Sequence, residues 1–239
     1  MKKTLKVTLC LLLVAMMLFS GCTKPSKDTT EQAIAETGAK KESLVFSISS
    51  EPTSLDPAMT KDTITYLVGF QIFDTLFREE PDGTIAPALA EEYEFSENGL
   101  ELTMKIREGV KFHNGDVMTA DDVEYSINRA IASSYTSAFT STMDRMEKVD
   151  DTHVKLIMKE PYAAVLSCLC SANLGIVNKA AAEAAGDDFT KEPIGTGAYK
   201  FVSWSTGEKI EMERFDEYWR GTPATVSYTH LTLPTILRV

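Results

Sequence analysis

Leu100, Leu102, Met104 and Ile106 alternate with polar residues directly after Asn98-Gly99, and Tyr93 and Phe95 alternate with acids directly before it. Successive strand side chains point to opposite faces, so this spacing makes two strands with one apolar face each. Asn-Gly tolerates the positive φ angles of the tight turn between them. A half-buried hairpin of this kind needs a second layer to cover it. One candidate follows at once. Thr119-Ala120-Asp121-Asp122 resembles a capping box, with Asp122 in place of the usual Glu, and Val123, Ile127 and Ile131 then recur every four residues, the spacing of a helix with one buried face.

The rest of the body mixes the same two periods. Leu44 to Ile48 is expected as a buried strand, and Ser54-Leu55-Asp56-Pro57 turns the chain. Asp62 caps a predicted helix running to about Phe77, with Ile64, Leu67, Val68, Ile72 and Leu76 along one side. Ser133 to Asp144 is polar and reads as a loop. Val154, Leu156 and Met158 mark a strand, Pro161 to Leu169 a short helix, Leu174 to Val177 a short strand, and Asn178 to Ala185 a helix. Two more strands, 198–204 and 209–214, flank Ser205-Thr206-Gly207-Glu208. With no internal repeat, the mixture predicts α/β or α+β layers.

The N-terminus sets the compartment. Lys2, Lys3 and Lys6 precede an apolar run from Val7 to Phe19 and then Ser20-Gly21-Cys22. A charged start, a short apolar core and small residues before a cut describe a secretory signal, and the run is shorter than the roughly 20 residues of a membrane span. The cysteine directly after the small residues resembles a lipobox, so residues 1–21 are expected to be removed and Cys22 to be lipidated. Residues 22–43 have little to bury and are expected to be a disordered tether. Removal of 1–21 takes three of the 24 basic residues and none of the 35 acidic ones, leaving a net charge of −14. Such a surface disfavours nucleic acid.

Catalytic and metal chemistry find few footholds. The body carries only His113 and His153, with His230 near the end, and neither Gly-x-Ser-x-Gly nor His-Glu-x-x-His occurs. Cys168 and Cys170 are two apart, too close for an unstrained disulfide, and read as small core residues. No catalytic residue, metal site or cofactor is predicted.

Four segments, in order, resemble the extracellular solute-binding proteins of family 5, the peptide, dipeptide and nickel class. They are Glu51 to Pro57; Ala86 to Tyr93; Ile106 to Asp116 running into Thr119 to Ser126; and Gly195 to Phe201 with Trp204, ending in Tyr218-Trp219-Arg220-Gly221. The resemblance implies a periplasmic-binding-protein-like, two-lobed α/β fold of the peptide-binding type. Residues 44–226 would form its N-terminal part, with the second lobe missing. It also implies a monomer that delivers its cargo to an ATP-driven (ABC) permease. The body would then be an exported lipoprotein on the outer face of the membrane. In peptide-binding relatives the stretch after the Leu-Asp-Pro turn pairs with an extended ligand. Carried over, that places ligand contacts at Thr60, Lys61, Asp62 and Thr63, with an aromatic after the capped helix, Phe139 or alternatively Tyr135. Nickel, haem or an oligosaccharide are the alternative cargoes, and an exported hydrolase is the rival of another class.

Ser227 to Val239 contains no acid and matches no family segment. It resembles translated adapter sequence, so 227–239 is expected to be a non-native tail.

Overall fold

A computed structural model of the chain describes residues 43–232. The signal segment, Cys22, the tether up to residue 42 and residues 233–239 lie outside the described residues. In chain order come β1 (Ser43–Ile48), α1 (Thr63–Ile72), β2 (Phe77–Glu79), β3 (Ile85–Pro87), β4 (Ala90–Phe95), β5 (Glu101–Ile106), α2 (Ala120–Ala132) and α3 (Ser137–Thr140). They are followed by β6 (Met143–Lys148), β7 (His153–Met158), α4 (Val165–Cys168), α5 (Lys179–Ala185), β8 (Tyr199–Ser205), β9 (Lys209–Arg214) and β10 (Ser227–Thr232).

The alternating segments form the hairpin β4–β5, with Gly99 at φ +68° in its turn. It extends into an antiparallel sheet of order β4-β5-β7-β6. Leu102, Met104 and Ile106 of β5 and Val154, Leu156 and Met158 of β7 are all buried on one face. The second layer is α2, which lies against β6 and β7 and buries Val123 and Ile127 completely. Burial of side chains of this size contributes about 1.5–3 kcal/mol each. The capping box is complete: the Asp122 amide donates to Thr119 Oγ1 (3.4 Å), and the Thr119 amide donates to Asp122 Oδ2 (2.9 Å). A second sheet, of order β1-β10-β9-β8, covers a smaller core built from α1, α5, Leu55 and Phe189.

Several expectations are corrected. The first helix ends at Ile72, not near Phe77. Phe73 is extended (φ −121°, ψ 140°), and the Ile72 carbonyl is taken by the Gly197 amide at 2.9 Å instead of by a further helical turn. A Cβ at Gly195 would stand 2.1 Å from that carbonyl, which explains the two glycines: the chain can cross the helix end only without side chains. The buried stripe of α1 is Thr65, Val68, Gly69 and Ile72, whereas Leu67 is exposed. The polar stretch after Ser133 contains α3 and leads into β6, an unexpected strand. A register shift between Met143 and Arg145 breaks the period of two that would have marked it. Leu174 to Val177 forms no strand: Leu174 ends a 3-10 turn (Ala172–Leu174) and 175–177 are irregular. β1 is an edge strand with five of its six residues exposed, not a buried one. The sheet also continues past residue 226: β10 lies between β1, to which it is parallel, and β9.

Candidate ligand-binding site

After the Leu55-Asp56-Pro57 turn, a 3-10 turn (Pro57–Met59) gives way to a short extended ribbon. Thr60 has φ −145°, ψ 158°, and Asp62 has φ −91°, ψ 142°. Lys61 and Thr63 are exposed, Thr60 is buried and Asp62 half-buried. Asp62 is the N-cap of α1. Its carboxylate accepts from the Thr65 amide (2.7 Å) and from the hydroxyls of Thr53 (2.5 Å), Thr60 (2.8 Å) and Thr65 (2.8 Å). Burial alone would raise its pKa; the four donors outweigh that and hold it at about 2.

The inner side of the ribbon is tied to the rest of the fold. Arg129 of α2 forms a two-point ion pair with Asp56, whose Oδ1 in turn accepts the Ala58 amide (3.0 Å). Ser133 Oγ donates to the Ala58 carbonyl at 2.5 Å. Asn173 Nδ2 donates to the carbonyls of Pro57 (2.9 Å) and Thr60 (2.7 Å). The cavity beneath, lined by Leu55, Thr60, Thr65 and Asn173, holds about 10 Å³, room for at most one water. On the outer side, the amide and carbonyl of Lys61 have no hydrogen-bond partner among the described residues.

Tyr135 is linked to the turn before the ribbon only through Ser133: its amide donates to the Ser133 hydroxyl (3.2 Å) that holds Ala58, and the residue is 44 % exposed. Phe139 packs against the larger core. Arg129, Ser133 and Asn173 were not among the residues predicted from sequence. One signal for two of them was present. Asp122, Ser126, Arg129 and Ser133 recur at intervals of four, three and four, a polar stripe beside the apolar face of α2. Each member grips another segment: Asp122 Oδ1 accepts the Lys179 amide (2.9 Å), Ser126 Oγ accepts the Val177 amide (3.0 Å), Arg129 pairs with Asp56 and Ser133 bonds Ala58.

The other sequence candidates are braces. Burial pulls the pKa of His113 down to about 4, partly opposed by its bond to the Gly197 carbonyl. The neutral ring donates from Nε2 to that carbonyl (3.0 Å) and accepts the Gly195 amide at Nδ1 (3.4 Å). Trp219 and Tyr218 both donate to Asp74, and Trp204 donates to Glu51. Cys168 and Cys170 are free thiols, and burial pushes Cys170 up to about 11, far from a reactive thiolate. Among the described residues no cluster of three or more metal-ligating side chains occurs.

Residues 84–233 match the family described as bacterial extracellular solute-binding proteins, family 5 Middle. The chain belongs to this family. A glutathione-binding protein GsiB of Pectobacterium atrosepticum is 32 % identical over 189 residues, 77 % of this chain and 37 % of the relative. Solved structures of binding proteins are also similar. The periplasmic binding protein DppA of Helicobacter pylori, in complex with the peptide STSA, gives a TM-score of 0.74 at 28 % identity, over 82 % of this chain and 44 % of that one. NikZ of Campylobacter jejuni, in complex with Ni(L-His), gives 0.71 at 27 % identity, over 81 % and 39 %. The fold is therefore the mixed α/β fold of periplasmic binding proteins, of which this chain spans about 40 %. A family of extracellular solute-binding proteins implies an exported chain.

Proposed function

We propose that this protein is the substrate-binding lipoprotein of an ABC uptake transporter, that it captures short peptides outside the cell, and that it delivers them to the permease unaltered. One observation carries the peptide reading: an extended ribbon, Thr60 to Asp62, is secured from behind while the amide and carbonyl of Lys61 stay unpaired. An extended ligand can add to such an edge as a further strand, and pairing with main chain ignores ligand side chains. Lys61 and Thr63 flank the added strand. A glutathione-binding relative and a similar protein solved with a bound peptide are consistent with this cargo class. Lipidation at Cys22 would hold the monomeric body at the outer membrane face.

Thermal-shift titration of the purified chain tests the cargo. Tri- and tetrapeptides of mixed sequence are expected to raise Tm in proportion to the logarithm of concentration, since a ligand that binds only the folded state stabilises it by mass action. A response to an oligosaccharide or to Ni(L-His) with none to any peptide overturns the reading. For the anchor, labelled palmitate should enter the wild-type chain and not Cys22→Ala.

A further inference from the structure

A ribbon that pairs with ligand main chain is useful only if it is extended before the ligand arrives. Within residues 59–62, Thr60 Oγ1 accepts the Asp62 amide (3.3 Å) and donates to its carboxylate (2.8 Å), but neither bond takes a main-chain group of Thr60 or Lys61. The preceding 3-10 turn could simply continue, with the Thr60 amide closing on the Pro57 carbonyl three residues back. In the structure that carbonyl is occupied by Asn173 Nδ2 at 2.9 Å, and the turn stops at Met59. The same nitrogen draws in the Thr60 carbonyl at 2.7 Å. Extended backbone alternates its polar groups from side to side, so fixing the Thr60 carbonyl inward directs the amide and carbonyl of Lys61 outward.

We propose that Asn173 is a positioning residue for ligand capture: from 113 residues away in sequence, it selects the extended form of the ribbon and sets which main-chain groups face the ligand. This rests on the peptide reading above. Asn173 is suited to the task. Its side chain is 1 % exposed, and its two amide hydrogens match the two carbonyls. Ser171 Oγ and the Asn173 amide close a local turn that holds it in place (3.4 Å). Its segment is fixed to α2 through Val177 and Ser126, the helix that also holds Asp56 and Ala58. The ribbon is thus ordered on folding, and binding does not have to order it again.

The test compares Asn173→Ala and Asn173→Asp with Val154→Ala, a core change in the other sheet that also lowers stability but touches no part of the ribbon. The first readout needs no ligand. The backbone order parameter of Lys61 should be near 0.85 in the wild type and in Val154→Ala, and should fall below about 0.6 in both Asn173 variants. The second is calorimetric binding of trialanine well below each variant's Tm, where both Asn173 variants should lose at least about tenfold in affinity and Val154→Ala should not. Asn173→Asp should be the worse of the two, because a carboxylate would face two carbonyl oxygens. An ordered Lys61 in Asn173→Ala, or wild-type affinity in that variant, overturns the proposal. If the wild-type chain binds no peptide, the peptide reading fails, while the order parameters still decide whether Asn173 orders the ribbon.

Discussion

The guanidinium of Arg129 closes on the carboxylate of Asp56, 73 residues earlier, with Nη1 to Oδ1 at 2.6 Å. The Asp56 side chain is only 2 % exposed. Its bond to Asp56 and the Coulomb attraction raise the pKa of Arg129 against the opposing effect of burial. Removal of one partner from a buried pair leaves the other charge without compensation. Arg129→Ala is therefore expected to lose about 3–5 kcal/mol in urea unfolding, whereas the double variant Asp56→Asn, Arg129→Met should lose clearly less. Equal losses in the two would show that the pair's charge is not what matters.

Asp62→Ala removes the cap of α1 and the bonds from three threonine hydroxyls, and should cost about 1–2 kcal/mol at pH 7. Its carboxyl titrates near 2 in the fold against an ordinary 3.8. A lowered acid contributes stability above its unfolded pKa and loses it as pH falls through the folded one. The wild type should therefore lose about 1–2 kcal/mol between pH 4 and pH 2, allowing for solvent screening, and Asp62→Ala should lack that part of the slope.

His113 shifts in the same direction for a different reason, because burial disfavours its charged form. The unfolded ring takes a proton near 6.5 and the buried ring only near 4. Its contribution is intact above pH 6.5 and falls by about 1.4 kcal/mol per unit below that, down to about pH 4. Urea midpoints at pH 7, 5.5 and 4.5 should drop steeply for the wild type and more gently for His113→Gln. His230 titrates in the same window with the same sign, so the His113→Gln, His230→Val pair should be flatter still.

His230 is an anomaly within β10. Both ring nitrogens are buried without a hydrogen-bond partner, between Phe46 (5.8 Å) and Tyr228 (4.8 Å). A neutral imidazole always carries one N–H, and leaving it unsatisfied costs about 1–3 kcal/mol. His230→Val should raise stability by about that amount in urea unfolding; no gain would mean that the strand does not occupy this slot.

Side-chain period and turn chemistry alone determined the hairpin around Asn98-Gly99, the capping box at Thr119 and the apolar face of α2, because each depends on residues within one or two turns of one another. The family motifs likewise placed the ribbon after Asp56-Pro57. Tertiary contacts decided the rest. Helix α1 stops at Ile72 because Gly197, over 120 residues later, takes its last carbonyl. β6 hides behind a bulge, and β1 is exposed because it ends a sheet. Asn173 lies in an unremarkable Ser-Ala-Asn-Leu stretch. Its role follows from the two carbonyls it meets, and a hydrogen bond across 113 residues leaves no periodic trace in the chain.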